Sequence, residues 1–278
     1  MILPALIGFL LFMLWPTING IWLSFTDYNL LTPANFVGFT NYERMFSDPI
    51  FWNAAGVTLQ YVVINIGVQT VMALVIAVLM HRLTESTFVR SVVLAPYLVS
   101  NVVAALIFLW ILDMQLGIGN QMIASLGLDR IPFLGQESTV IPTIALINVW
   151  RHMGYTALLI FAGLQTIPSS VYEAARVDGA SEWRMFWRIT IPLLRPILAL
   201  VLIMTIIGSF QVFDTVAVTT NGGPVNSSRV LQLYIYEMAF GRFQFGYASA
   251  LSVALLAILL IVTALQYRLS RAGETDLN

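Results

Sequence analysis

Six long apolar runs constrain this chain more than any other feature, because a membrane-spanning helix needs about 20 predominantly apolar residues. The runs cover residues 2–25, 57–80, 91–112, 139–165, 197–217 and 247–267. Of the 278 residues, 59% are hydrophobic and only 10% are charged, whereas soluble domains carry roughly 25% charged residues. The sequence therefore predicts an all-α membrane protein, with six transmembrane helices in a single domain over residues 1–278.

Composition also argues against several classes of function. The net charge of −1 provides no basic surface for nucleic acid, and the absence of cysteine excludes disulfides and cysteine-ligated metals. The chain has no lysine, which the phosphate-binding loop of many ATPases requires. Its two histidines, His81 and His152, are too few for most metal sites. We therefore expect neither an enzyme nor a bound metal or cofactor.

The distribution of arginine predicts the orientation in the membrane. If the amino terminus is cytoplasmic, eight arginines fall on the cytoplasmic side and four on the outer side. The cytoplasmic set is Arg82, Arg90, Arg176, Arg184, Arg188, Arg195, Arg268 and Arg271, and the outer set is Arg44, Arg130, Arg229 and Arg242. Because arginine is enriched in cytoplasmic loops, we predict that both termini are cytoplasmic. Residues 218–246 then form an outer loop, in which Val230, Leu233, Tyr234 and Met238 have the spacing of an amphipathic helix.

The segment 168–196 carries the densest charge, between two apolar runs. It contains four arginines and the acids Glu173, Asp178 and Glu182. Ser170 and Glu173 have capping-box spacing, Gly179 favours a turn, and Ser181 can cap a second helix over 182–188 that ends or kinks near Pro192. The pattern predicts two short helices joined by a glycine turn, outside the bilayer. Either a docking element for a soluble partner or a solvated loop would explain it.

Polar residues also occur inside the apolar runs, where they must face other helices or water. Four of them share one helical face of the fourth run: Asn148, Arg151, His152 and Tyr155. The same spacing places Gln211, Asp214 and Thr215 together on the fifth run, and Tyr61, Asn65 and Gln69 on the second. One interpretation is a translocation pathway for a hydroxyl-rich solute. The other is interhelical hydrogen bonding, including an Arg151–Asp214 ion pair, and on the second run packing is the favoured interpretation.

One motif in the charged segment resembles a known signature. Glu173-Ala174-Ala175, followed by Gly179 and then by Ile189-Thr190-Ile191-Pro192, resembles the EAA motif of binding-protein-dependent ABC importer permeases. That family usually has leucine where Ile191 stands. The stretches NVWRHMGYTALLIFAGLQTIP and FQVFDTVAVTTNGGP resemble carbohydrate permeases of the maltose and glycerol-phosphate transporter type, and so do LYIYEMAF and FGYASALS. The resemblance covers essentially the whole chain.

The resemblance implies a type I importer fold in the inner membrane of a prokaryotic cell. Its partners would be a second permease subunit, two ATPase subunits that bind ATP and Mg, and an external substrate-binding protein. The coupling contact with the ATPase would involve Glu173, Ala174, Ala175, Asp178, Gly179 and Arg184. In the resembling transporters the sugar site lies on the equivalent fourth and fifth helices. Here the corresponding pathway residues are Asn148, Arg151, His152, Tyr155, Ser209, Gln211 and Asp214.

Three alternatives remain at this point. The solute could be a sugar phosphate or glycerol phosphate, because Arg151 lies near mid-membrane. An ion-coupled secondary transporter would need paired intramembrane acids or broken-helix repeats, whereas Asp214 is the one clear acid within an apolar run. An intramembrane serine enzyme would need a glycine-framed nucleophile, and Ser209 lacks that framing.

Overall fold

The computed structural model describes residues 3–83 and 86–270, and side chains as far as Arg268. Arg271, part of the predicted cytoplasmic arginine set, lies outside the described residues. Over the described part the chain is helical, apart from loops and one isolated bridge between Thr26 and Phe36. The helices are α1 (Leu3–Phe9), α2 (Trp15–Leu23), α3 (Thr40–Ser47), α4 (Pro49–Leu83), α5 (Thr87–Leu98), α6 (Asn101–Ile111), α7 (Ile118–Ser125), α8 (Glu137–Leu164), α9 (Ser169–Val177), α10 (Glu182–Met185), α11 (Ile191–Leu193), α12 (Arg195–Phe210), α13 (Asp214–Thr219), α14 (Leu231–Tyr236) and α15 (Phe245–Ser270).

The helices confirm the prediction of an all-helical membrane protein. Five segments of the described chain are long and apolar enough to cross a membrane: Leu3–Leu23, Pro49–Leu83, Glu137–Leu164, Arg195–Thr219 and Phe245–Arg268. The pair α5 and α6 makes a sixth if it counts as one span. In the first span, a π-helical turn (Leu10–Leu14) joins α1 to α2.

Two predicted spans each consist of two helices rather than one. Between α5 and α6 the chain bends by 90°, because Val99 and Ser100 both take extended conformations. Pro96 lies inside α5 shortly before the bend. The fifth run ends its first helix at Phe210, and α13 starts only at Asp214. Phe213 has a non-helical backbone, so Gln211 does not share a helical face with Asp214.

The centre of the fold is the pairing of α4 with α8, which pack along their lengths. Ala73, Ala77 and Ala157 are fully buried at this contact. Small side chains let two helices approach closely inside a membrane, where dispersion and shape drive association. By contrast, Leu3–Leu23 is the most peripheral span, because none of its hydrophobic window is buried.

The charged segment folds as two short helices around a glycine, as predicted. Gly179 has a φ of +71°, a conformation that glycine adopts without steric cost, and the Ser181 hydroxyl accepts a hydrogen bond from the Arg184 amide at 3.3 Å. One detail of the prediction is wrong, because the α9 helix begins at Ser169 directly after the extended Pro168, with no side-chain cap from Ser170. The second helix continues through a π-helical turn (Phe186–Thr190) into α11, which ends at Leu193, next to Pro192 as predicted. Pro192 itself lies in a first helical turn, where no amide donor is needed.

The amphipathic helix predicted within residues 218–246 is confirmed, since Leu231–Gly241 is helical and Val230, Leu233, Tyr234 and Met238 are all buried. Asp48, just before α4, accepts hydrogen bonds from the hydroxyls of Tyr234 and Tyr247, the latter at 2.7 Å. Partial burial raises the pKa of Asp48, but the tyrosine and backbone hydrogen bonds outweigh it, so the net pKa is lowered. Burial and the bond to Asp48 raise the pKa of Tyr234 to about 12. This cluster joins α14 and α15 to the start of α4.

Candidate substrate pathway and coupling element

A cavity of about 230 Å³ lies between α4, α5, α8 and α12. Its lining combines hydroxyls, amides, aromatic rings and one guanidinium: Tyr61, Asn65, Gln69, Tyr97, Asn148, Arg151, His152, Tyr155, Thr156, Leu159, Val201, Met204, Thr205, Gly208 and Ser209. No acidic residue belongs to this set of lining residues. The residues meet because two polar faces of the central helices point toward each other and away from lipid.

Polar bonds across helices hold one side of the cavity together. Asn65 of α4 donates to the Ser209 hydroxyl of α12 at 2.9 Å, and Gln69 donates to the Thr156 hydroxyl of α8 at 2.9 Å. The packing interpretation of the second run is therefore confirmed for Asn65 and Gln69. Both residues also line the cavity, so packing and lining are not exclusive here.

Arg151 does not form the ion pair with Asp214 that the sequence suggested. Its Nε donates to the Val99 carbonyl at 2.7 Å and its Nη2 to the Tyr97 carbonyl at 3.3 Å, both in the segment where α5 ends. Asp214 instead accepts a hydrogen bond from Asn101 at 2.9 Å. The carbonyls of Tyr97 and Val99 therefore accept the hydrogen bonds of Arg151 that were expected to go to the Asp214 carboxylate. These carbonyls are available because α5 ends at Leu98.

The protonation of His152 follows from its neighbours. The Nη1 of Arg151 lies 2.8 Å from the imidazole Nε2, and a guanidinium can only donate hydrogen bonds. The Nε2 atom must therefore accept, which leaves the proton on Nδ1. From there it is donated to the Asn148 carbonyl at 3.0 Å. The ring is neutral in this arrangement and is fixed at both nitrogens.

Tyr97 and Tyr155 form an aromatic wall of the cavity. Their rings stack with centroids 4.5 Å apart and planes inclined by 12°, and the His152 ring meets Tyr97 edge-on at 5.9 Å. Sequence reasoning missed Tyr97. The signal available was its position directly after Pro96, as the one tyrosine of the apolar run 91–112.

The structure brings together five of the seven predicted pathway residues. Asn148, Arg151, His152, Tyr155 and Ser209 line the cavity. Asp214 lies beyond it at the start of α13, and Gln211 lies in a separate groove with Gln232 and Ser252. The break after Phe210 separates these two from the rest.

The predicted coupling residues lie on an accessible surface. Glu173, Ala174, Asp178, Gly179 and Arg184 are exposed, and Ala175 is half-buried. Behind this surface, Arg82 at the end of α4 pairs with Glu182 of α10 at 2.7 Å, and Arg176 lies 3.6 Å from the same carboxylate. A cavity of about 430 Å³ separates α9 from the end of α4. The element is thus attached to a central span by charged groups.

Comparison with known protein families shows to which family the chain belongs. A family described as the binding-protein-dependent transport system inner membrane component matches residues 69–272. The chain belongs to this family. It is therefore a multi-pass inner membrane subunit of a transport system that depends on a binding protein, and it is a transport subunit rather than an enzyme. Among the described residues, no group of three or more histidine or acidic side chains could hold a metal ion.

Individual relatives match over nearly the whole chain. The probable ABC transporter permease protein YurN of Bacillus subtilis (strain 168) is 34% identical, over 99% of this chain and 96% of the relative. The sulfoquinovosyl glycerol transport system permease protein SmoG of Agrobacterium fabrum is 35% identical, over 98% of this chain and 89% of its own length. A chain of a bacterial alginate ABC transporter, solved with an alginate pentasaccharide-bound periplasmic protein, has a TM-score of 0.86 at 26% identity. The match covers 97% of this chain and 92% of that one.

Proposed function

We propose that this permease subunit imports a sugar or oligosaccharide delivered by an external substrate-binding protein. The observation that carries the proposal is the cavity between α4, α5, α8 and α12, whose lining presents amides, hydroxyls and stacked aromatic rings at membrane depth. Saccharides offer many hydroxyls and one apolar ring face, and such a lining can bind both. SmoG is named as a permease for sulfoquinovosyl glycerol and the related transporter as one for alginate, and both solutes are carbohydrate derivatives.

The segment 168–196 is the proposed coupling element for a partner ATPase. Its turn at Gly179 presents Glu173, Ala174 and Asp178 at the surface, and Arg82–Glu182 connects the element to α4. ATP and Mg would be bound by two ATPase subunits, and a second permease subunit would complete the membrane pathway. Closure of the ATPases would move the element, and through it the spans that form the cavity.

Proteoliposomes test this function directly. The importer would be assembled from this chain, its partner permease, the ATPase and the cognate binding protein, after a thermal-shift screen of that binding protein against mono- and oligosaccharides. We expect ATP-dependent uptake of the saccharide that stabilises the binding protein. Tyr155→Ala should lower uptake at least tenfold while leaving assembly intact. Failure of this variant to assemble, or unchanged uptake, would favour a packing role for the polar faces.

An anionic saccharide is a second candidate for the solute. The lining includes the charged Arg151 and no acidic residue, so a carboxylate, sulfonate or phosphate would meet no repulsion from side chains in the cavity. The same proteoliposomes distinguish the candidates when neutral and acidic sugars compete for uptake.

A further inference from the structure

We propose that Arg151 is a positioning residue, which holds the right-angle bend between α5 and α6 and thereby keeps Tyr97 stacked on Tyr155 in the cavity wall. The inference assigns to Arg151 a role exerted through the protein backbone. It rests on the proposed function only in its consequence for transport, because the bend itself can be measured without any solute.

The first argument comes from the hydrogen bonds at the end of α5. A helix leaves its last carbonyls without partners inside the helix, and in a membrane each unsatisfied group costs several kcal/mol. Arg151 donates to the carbonyls of Tyr97 and Val99. A cation is also favoured at a helix carboxyl end, where the partial charge of the helix dipole is negative. The guanidinium therefore matches this exposed helix end in both hydrogen bonding and charge.

The second argument is that the other side of the bend is held as well. Asn101 begins α6, and its side-chain amide donates to Asp214 at the start of α13. Arg151 and Asp214 thus act on opposite sides of the extended residues Val99 and Ser100. Two polar contacts from two different spans fix the direction in which α6 leaves α5.

The third argument links the bend to the cavity. Tyr97 supplies both a carbonyl to Arg151 and a ring to the stack with Tyr155, and the guanidinium carbon lies 5.5 Å from the centre of that ring. Three of the five guanidinium N–H donors are engaged by Tyr97, Val99 and His152. Arg151 is thus committed to protein groups, and its influence on a solute passes through the aromatic wall.

The bend can be measured by electron spin resonance, because the parent chain contains no cysteine. Spin labels would replace Phe88 on α5 and Trp110 on α6, whose side chains are 76% and 73% exposed, in the assembled importer. At ~1.5 Å per residue, a right-angle bend separates the two sites by roughly 23 Å and a straight helix by roughly 33 Å.

Arg151→Met removes the charge and all donors. We expect it to increase the mean distance between the labels, or the width of the distance distribution, by at least ~5 Å, which is part of the difference between the bent and the straight arrangement. Arg151→Lys keeps the charge and should retain the short distance. Arg151→Gln keeps one amide donor and should lie between them, and it replaces the Met variant if that one does not assemble. Identical distributions for Lys, Gln and Met would overturn the proposal.

A double-mutant cycle on uptake tests whether Arg151 acts through Tyr97. Arg151→Met, Tyr97→Leu and the double variant would be compared in proteoliposomes. If Arg151 acts by positioning Tyr97, the double variant should transport no worse than the poorer single variant. If the losses of uptake in the two single variants multiply in the double variant, Arg151 contacts the solute directly, and the proposal is contradicted. If even the parent imports no saccharide, the proposed function fails, whereas the spin-label distances still decide the role of Arg151.

Discussion

At the scale of single residues, the close approach of α5 to α8 depends on one missing side chain. A Cβ atom on Gly154 of α8 would lie 1.9 Å from the Val93 carbonyl oxygen of α5. Real atoms do not come so close, and the obstacle is backbone, which cannot rotate away as a side chain would. Gly154 therefore sets how near α5 lies to α8, and with it the reach of Arg151 to the end of α5.

We expect Gly154→Ala to destabilise the protein by about 3 kcal/mol, at the upper end of the usual cost of overpacking. Thermal unfolding in detergent measures the loss. Gly67→Ala on α4 is the matched control, because a Cβ there meets nothing within 4 Å and alanine favours a helix over glycine by about 1 kcal/mol. Equal stability of the two variants would contradict the close contact seen between α5 and α8.

The carboxylate of Asp48 makes a pH-dependent contribution to stability. Its folded-state pKa is lowered, so its contribution is present above the unfolded-state pKa of about 3.9 and is lost as the pH falls through the folded-state value. We expect Asp48→Asn to cost about 1 kcal/mol at pH 7, because hydrogen bonds to a charged group are stronger than neutral ones. The difference from the parent should shrink as the pH falls below ~4.

Thermal unfolding between pH 7 and pH 3 measures this effect, with the exposed Asp129→Asn as control. The contribution of Tyr234 to stability has the opposite dependence on pH. Its pKa is raised to about 12, so this contribution is present below the usual tyrosine pKa of ~10 and is lost as the pH rises through 12. A pH-independent difference between the parent and Asp48→Asn would show that the carboxylate charge is not what binds the tyrosines.

At the scale of elements, the proposed coupling element (168–196) depends on the shape of one turn. Gly179 joins α9 to α10 with a φ of +71°, and a left-handed conformation costs other residues roughly 1–2 kcal/mol. We expect Gly179→Val to change the angle between the two helices and to reduce, about tenfold, the stimulation of ATP hydrolysis by loaded binding protein. The permease should still assemble, because the element packs mainly at the protein surface.

Gly127→Val is the control for this prediction. Gly127 has a φ of +76°, so valine meets the same backbone strain there, but it lies in the loop after α7. Normal stimulation in the Gly127 variant and weak stimulation in the Gly179 variant would support coupling through 168–196. Equal stimulation in both would contradict it.

Sequence reasoning predicted some of these elements well and others poorly, for identifiable physical reasons. Gly179 and Ser181 act locally, so their turn and cap could be predicted from neighbouring residues. The breaks after Leu98 and Phe210 could not, because both lie within predicted membrane spans, where packing against other helices decides the backbone. The partner of Arg151 was missed for the same reason. Its acceptors are carbonyls of a helix end, and a sequence shows side chains but not which carbonyls a broken helix leaves open.

At the scale of the whole molecule, the predicted orientation can be tested because the parent has no cysteine. Val177 in the coupling element is 88% exposed, and Val225 in the predicted outer loop is 83% exposed. We expect Val225→Cys to react with a membrane-impermeant maleimide in intact spheroplasts, and Val177→Cys to react only after permeabilisation. The reverse pattern would place both termini outside the cytoplasm and would rule out coupling to a cytoplasmic ATPase through 168–196.

The hydrogen bonding of Arg151 to peptide carbonyls has a consequence for substitutions around it. A positive charge balanced by an acidic side chain would tie two positions together, so that neither could change without the other. In this protein the acceptors of Arg151 are main-chain carbonyls, which a side-chain substitution does not remove. Substitution of other side chains that line the cavity therefore leaves both carbonyl acceptors of Arg151 in place.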